Sequence, residues 1–267
     1  MMPIKYIDIH SHLNFPDYDA DREEVIAKMK ELGVATITVG TSLETSQSAV
    51  ALAEKHENIF ACIGIHPVDE MHNGDHCAFD EAAFEELVKH PKVVAIGECG
   101  LDYGKDGVID GDHCANQKRL FSQQIDFAAK HDKPIMIHAR NAAEDILKLL
   151  AEKKKQYGDK LRGNAHFFTG SPEEAQSYID LGFSVSFTGV ITFAREYART
   201  IKAVSLDHMM SETDSPFVSP IPYRGSRNDP TRVIEVVKKM AEIKGVSEEE
   251  AAKIFLNNAV AKFNLVW

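Results

Sequence analysis

Eight short β-branched runs alternate with stretches of helical periodicity along the whole chain, and this alternation narrows the fold more than any other feature. The runs fall at residues 4–10, 35–39, 59–65, 93–97, 134–138, 163–166, 183–187 and 208–212. Helical patterns fall at 21–32, 44–56, 80–90, 116–131, 142–155, 172–181, 230–243 and 247–263, the last opened by an S-x-x-E capping box of Ser247 and Glu250. Strand–helix alternation implies a parallel sheet. Eight units in 267 residues match the count and length of a (β/α)8 TIM barrel, an α/β fold of about 250 residues that is routinely one domain. A doubly wound sheet would show a glycine-rich first turn, whereas here the first turn is His10-Ser11-His12. No linker or repeat divides the chain, so residues 1–267 are expected to form one domain. Polar segments at 69–78 and 104–115 are expected to be loops after the third and fourth strands.

Composition excludes several classes. With 41 acidic against 30 basic residues the net charge is −11, which argues against a broad basic face for duplex nucleic acid. It leaves open a grip on one or two phosphates where metal ions supply the positive charge. No run approaches the roughly 20 apolar residues of a membrane span, and the first residues lack the pattern of an export signal. A cytoplasmic protein with no membrane association is expected, with a monomer as the default. Cys62, Cys77, Cys99 and Cys114 are scattered without a C-x-x-C pair and read as reduced thiols.

The chemistry gathers at strand ends. The first strand ends in His10-Ser11-His12, the fourth in Gly97-Glu98, the fifth in His138-Ala139-Arg140, the sixth in His166 and the eighth in Glu212-Thr213-Asp214. In a barrel these ends form the face that hosts active sites. His10 and His12, two apart on a strand, share a face. With Glu98, His138, His166 and Asp214 they make six potential ligands. Three or four nitrogen and oxygen donors suffice for one divalent ion; six, with a carboxylate able to bridge, suit two ions about 3.5–4 Å apart. A lone histidine is ordinarily a hydrogen-bonded core or surface residue, so the argument rests on recurrence in five elements. His56, His90 and His131 stand at helix ends and read as charge complements of the helix C-terminus or as exposed residues. His72, His76 and His113, near Cys77 and Cys114, read as solvated loop residues or a minor metal site.

These residues also carry a resemblance. His10-Ser11-His12, Gly64-Ile65-His66-Pro67, Gly97-Glu98-Cys99-Gly100-Leu101-Asp102-Tyr103, Ile137-His138-Ala139-Arg140, His166-Phe167-Phe168-Thr169-Gly170, Glu212-Thr213-Asp214-Ser215-Pro216 and Arg227-Asn228-Asp229-Pro230 stand in an order and spacing that resemble the TatD family of metal-dependent hydrolases. The resemblance implies a distorted TIM barrel of the amidohydrolase superfamily and a metal-dependent deoxyribonuclease of the 3′–5′ exonuclease kind. It implies a first metal on His10, His12, Glu98 and Asp214, and a second on Glu98, His138 and His166, with Glu98 bridging. Zn, Mn, Ni or Mg are the metals in play. Phe167 stands where the family commonly has Cys or Ser, Asp229 replaces a glutamate, and residues 106–113 read as an insertion.

On this reading Glu98 and Asp214 are the catalytic carboxylates, with Asp214 taking a proton from the attacking water. Arg140 and Arg227 are candidate phosphate contacts, each with an ordinary structural role as its rival. His66 and Tyr103 are candidate substrate contacts, the tyrosine by stacking on a base. Phe15, Phe167, Phe168 and Phe217 near strand ends are expected mostly in the core. The expected substrate is a DNA end or a short single-stranded nucleic acid. Hydrolysis of another ester or an amide, such as a lactone or an aminoacyl ester, on the same site is the alternative, and a non-catalytic partner protein on the same barrel is a further one.

Overall fold

A computed structural model of the chain describes residues 3–68, 79–107 and 110–267. Its eight strands are β1 (Tyr6–Ser11), β2 (Val34–Val39), β3 (Ile59–Ile63), β4 (Val93–Asp102), β5 (Ile135–Arg140), β6 (Gly163–Ala165), β7 (Phe183–Phe187) and β8 (Met209–Ser211). They form one sheet in chain order, and every neighbouring pair is parallel. The helices are α1 (Arg22–Leu32), α2 (Leu43–Lys55), α3 (Glu81–Val88), α4 (Gly111–Lys130), α5 (Ala143–Tyr157), α6 (Pro172–Asp180), α7 (Ala198–Ala203), α8 (Val233–Lys244) and α9 (Glu248–Phe263). This is a nearly closed (β/α)8 barrel, as the alternation implies.

Local chemistry sets the helix ends. Ser42 with Thr45 and Ser171 with Glu174 form reciprocal capping boxes that satisfy the first amide groups of α2 and α6. Ser247 accepts the Glu250 N–H, one half of the box expected there. Gly33 and Gly245 end α1 and α8 in the left-handed conformation. Helix α4 starts at Gly111 because the Asp110 carboxylate accepts the Asp112 and His113 N–H groups, so the segment 104–115, expected as a loop, is helical over its last five residues. The periodicity also misses α7, a six-residue helix between β7 and β8. The described cysteines Cys62, Cys99 and Cys114 are free thiols; Cys77, with His72 and His76, lies outside the described residues.

Closure between β8 and β1 is made by polar groups. Ser11 bridges to Ser215, the His12 N–H donates to Ser215 O (2.7 Å) and the Asp214 N–H to His10 O (2.9 Å). Asp8, fully buried, accepts from Thr213 N–H (2.9 Å), Thr213 Oγ1 (2.6 Å) and His10 N–H (3.2 Å). One carboxylate thus ties together the two segments that carry His10, His12 and Asp214.

Strand β4 runs five residues past its expected end at Gly97. Its register against β5 shifts between Ile96 and Cys99, as at a bulge that re-aims a side chain. Gly97 and Gly100 have φ of +147° and +150°, and a Cβ there would stand 2.5 Å from Met136 O and 2.0 Å from His138 O. Only glycine permits so close an approach of the two backbones, and Glu98 projects from between them.

The outer face of the fold offers a stability test. Lys262 of α9 donates to Gly182 O (2.9 Å). Burial, with Arg162 and Lys154 adding repulsion, pushes its pKa down to about 8, against about 10.4 in an unfolded chain. Between those two values the unfolded state binds more protons, so stability rises with pH across that window, and the cost of the buried charge is fully present below it. Lys262→Met is expected to raise Tm by about 2–4 °C at pH 7, with the gain fading toward pH 10; a thermal melt showing no gain at pH 7 contradicts the assignment.

Candidate metal centre

Glu98 is the hub. It is buried, and its two oxygens face different groups. Oε2 lies 3.3 Å from His10 Nε2 and 3.7 Å from His12 Nε2. Oε1 lies 2.7 Å from His166 Nε2, 2.8 Å from His138 Nδ1 and 3.5 Å from His66 Nε2. Asp214 closes the first side, its Oδ1 3.5 Å from His12 Nε2 and 3.7 Å from His10 Nε2. The six residues expected as ligands are therefore brought together from five separate strand ends. Asp214 sits at φ +53°, a left-handed conformation that aspartate tolerates better than most residues.

Each imidazole except that of His10 turns one nitrogen to the centre and anchors the other. His12 Nδ1 lies 3.0 Å from Val39 O. His66 Nδ1 accepts the Val68 N–H. His138 Nε2 lies 2.9 Å from Asp102 Oδ2. His166 Nδ1 lies 3.2 Å from Glu212 Oε2. Glu212 is itself locked, accepting from Phe167 N–H (2.6 Å) and Ser186 Oγ (2.5 Å). Anchoring the outer nitrogen fixes tautomer and ring direction, the usual support for a metal-ligating histidine. His10 stacks on His166 at 3.9 Å, and its buried Nδ1 has no hydrogen-bond partner among the described residues.

Electrostatics follow from this crowding. Burial alone would raise Glu98, but His166, His66 and His10 hold it well below the usual carboxylate range. Burial likewise opposes the charge on His166, yet Glu98 and Glu212 raise its pKa well above normal. His12 and His138 are raised against burial by their carboxylate neighbours. Burial and the neighbouring His166 lower His10, and burial takes His66 down to about 3. A buried anionic centre ringed by imidazole nitrogens is a donor arrangement suited to divalent ions. Ligand atoms within 4.8 Å of one another occur in three combinations: His10–His12–Glu98, His10–His166–Asp214 and His66–Glu98–His138. The residues present thus fit a divalent cation, with Glu98 and His10 common to more than one combination.

The centre forms one wall of a cavity of about 720 Å³ that also exposes Phe15, Arg140, Phe167 and Phe217. Arg140 lies at this wall, more than half exposed, 4.0 Å from Asp102; among the described residues that carboxylate, and not Glu144, is its partner. Two expected substrate contacts lie elsewhere. Tyr103 does not line the cavity; it is buried and donates to Asp145 Oδ2 (2.6 Å). Arg227 is drawn away because Asp21 holds it at 2.6 Å and Tyr18 stacks beneath it at 4.4 Å. Of the phenylalanines expected in the core, Phe168 is buried, but Phe15, Phe167 and Phe217 line the cavity, and Phe15 stacks on His12 at 4.4 Å. His113 pairs with Asp110. His56 is buried beside Glu23 and Lys30, and its lowered pKa, chiefly from burial, makes it a poor charge complement for a helix end.

Sequence reasoning does not single out Asp8, Asp102 or Glu212 as working residues. Asp102 and Glu212 lie inside the quoted motifs; the signal that finds them is position, each four or two residues from a ligand on its own strand or strand end.

Comparison with known proteins bears on this geometry. A family model described as "TatD related DNase" matches residues 7–264. A protein of Bacillus subtilis (strain 168) named as an uncharacterized metal-dependent hydrolase, YabD, is 40% identical over 261 residues, covering 97% of this chain and 98% of its own length. YcfH of Escherichia coli (strain K12), named in the same terms, is 32% identical over 265 residues, with 97% and 96% covered. The crystal structure of the TatD homologue YjjV of E. coli K12 superposes with a TM-score of 0.87 at 26% identity, covering 98% of this chain and 99% of that one.

Glu212→Gln is expected to retain the fold by circular dichroism and to weaken divalent-cation binding by about 10–100-fold in equilibrium dialysis. Unchanged affinity would remove Glu212 from the support of His166.

Proposed function

The chain belongs to the TatD family of metal-dependent hydrolases, and from that premise we propose that it hydrolyses phosphodiesters of DNA, releasing nucleotides from a 3′ end. The observation that carries the reading is Glu98, one buried carboxylate whose two oxygens address two separate groups of imidazoles. We assign two divalent cations to these groups: His10, His12 and Asp214 on one side, His138 and His166 on the other, and Glu98 between. Zn, Mn and Ni suit the imidazole donors, and Mg serves as an assay ion. Cations bound there supply positive charge against the phosphoryl oxygens and acidify water.

The chain's own residues do the rest. Glu98 stands between the two groups, with Oε2 toward His10 and His12 and Oε1 toward His138 and His166. Asp214 turns Oδ1 toward His10 and His12, which leaves Oδ2 to accept a proton from the attacking water, a general-base role typically worth about 10²–10⁴-fold. Arg140 at the cavity wall offers a two-pronged donor to a phosphate. The Phe15, Phe167 and Phe217 rings exclude water and present apolar surface to a base or sugar. His66 sits beside Glu98 with its burial favouring the neutral ring, fit to hydrogen-bond substrate. A charged cavity at the end of the barrel, with a mixed wall, supports a small flexible end more readily than a duplex.

The test is cleavage of 3′-labelled single-stranded DNA by metal-stripped protein reloaded with Mg, Mn or Zn, beside Glu98→Ala. Metal-dependent release of 3′ nucleotides, lost in Glu98→Ala, is expected. Absence of cleavage with cations demonstrably bound would move the reaction to a carbon ester or amide. Asp214→Asn is expected to cost about 10²–10⁴-fold in kcat; near wild-type turnover with cation retained would show that another group takes the proton.

A further inference from the structure

Six large apolar side chains are exposed among the described residues, and apart from Val266 and Trp267 at the C-terminus all lie on the loops after β7 and β8: Phe193 (40% exposed), Phe217 (49%), Ile221 (49%) and Tyr223 (42%). The two loops are fastened to each other. The Ile221 N–H donates to Thr192 Oγ1 (2.9 Å), and Gly189 packs so tightly that a Cβ would stand 2.8 Å from Val218 O. Phe217 belongs to the cavity wall and meets His12 edge-on at 6.0 Å. The strip therefore starts beside the Glu98 centre and continues outward along the 217–223 segment.

Two of these rings carry a guanidinium on one face. Arg224 lies 4.1 Å from the Phe193 centroid and Arg232 4.5 Å from that of Tyr223. Arg224 donates to Ser219 O (3.0 Å), and among the described residues no carboxylate pairs with it. Arg232 is held by Asp229 at 3.3 Å. Of the three arginines in residues 215–232, Arg227 is held by Asp21 and Arg232 by Asp229, so Arg224 is the one whose charge stays uncompensated among the described residues. Aromatic faces backed by arginine, at the mouth of a cavity built around an anionic hub, suit a ligand with repeated flat bases and a phosphate backbone. Stacking on such faces tolerates any base and requires that the base be unpaired.

We propose that this strip binds the nucleotides of single-stranded nucleic acid that flank the scissile phosphate, with Phe193 and Tyr223 stacking bases and Arg224 meeting a backbone phosphate. The proposal rests on the phosphodiesterase reading above, and its test separates the two. Binding of fluorescein-labelled (dT)12 is measured by anisotropy with the catalytically silenced Glu98→Gln protein, alone and combined with Phe193→Ala, Tyr223→Ala or Arg224→Ala. Hydrolysis of bis(p-nitrophenyl) phosphate, which is too small to reach the strip, is measured with the same three substitutions in the otherwise wild-type enzyme. Each aromatic substitution is expected to weaken (dT)12 binding by about 5-fold or more and to leave the small ester within twofold of wild type. Arg224→Ala is expected to lower the slope of log K against log salt by about 0.7, one phosphate contact on a single strand. Unchanged (dT)12 binding in both aromatic variants would overturn the proposal and point to a protein partner on this face. Equal losses on (dT)12 and on the small ester would also overturn it, as the mark of a structural role. If the wild type cleaves no phosphodiester while (dT)12 binding still depends on Tyr223, the strip stands and the reaction reading falls.

Discussion

The structure is organised around a carboxylate placed where carboxylates are least stable. Glu98 is buried, and taking an ionised group out of water costs several kcal/mol after relaxation. Four strand ends answer that cost by turning imidazole nitrogens toward it: His10 and His12 from β1, His66 after β3, His138 from β5 and His166 after β6. No single strand or hairpin can bring such groups to one point. A barrel can, because each parallel strand delivers its C-terminal end to the same rim. The bulge in β4 and the close backbone approach at Gly97 and Gly100 are the local means by which Glu98 reaches the middle of that rim.

Around the hub lies a second layer of buried acids that holds the imidazoles still. Asp102 takes the outer nitrogen of His138, Glu212 that of His166, and Asp8 binds the backbone and hydroxyl of Thr213 next to Asp214. Asn164, Ser184 and Ser186 continue this network across β6 and β7. These strands therefore carry polar side chains on one face and apolar ones such as Phe183, Val185 and Phe187 on the other. A buried polar network of this kind contributes rigidity only when its members are satisfied. The unpartnered Nδ1 of His10 stands out against it. Stability comes mainly from the opposite faces of the strands, where Ile59, Ala61, Val93, Ile96, Ile135 and Ile137 pack beneath the helices.

Charge is distributed to match. The molecule as a whole repels polyanions, which disfavours indiscriminate coating of nucleic acid. Beside the cavity, positive charge is supplied by Arg140 at its wall and by Arg224 in the loop after β8, and by whatever cations the centre holds. Under the proposed phosphodiesterase activity, substrate binding is then localised to one rim of one barrel. Arg227 illustrates how easily a basic residue in the same loop is lost to this purpose: Asp21 pairs with it and Tyr18 stacks beneath it.

Much of this was legible in the chain itself. The alternation of β-branched runs with helical periods depends on side-chain spacing along the backbone, a local property, and it yields all eight strands and eight of the nine described helices. The short α7 falls below the length at which periodicity speaks. The six expected ligands were legible for a related reason: histidines and carboxylates recur at strand ends, and parallel topology alone decides that strand ends meet. Side-chain partners are not local in this way. That Tyr103 turns to Asp145, that Arg227 turns to Asp21, that Phe15 and Phe217 face the cavity, and that Asp8, Asp102 and Glu212 hold the ligands all depend on distances between residues tens to hundreds of positions apart. The residue types and spacing determined the barrel and the inventory of donors; only the folded chain decided which oxygen faces which nitrogen, because hydrogen bonds and ion pairs are made over about 3 Å of space and not along the sequence.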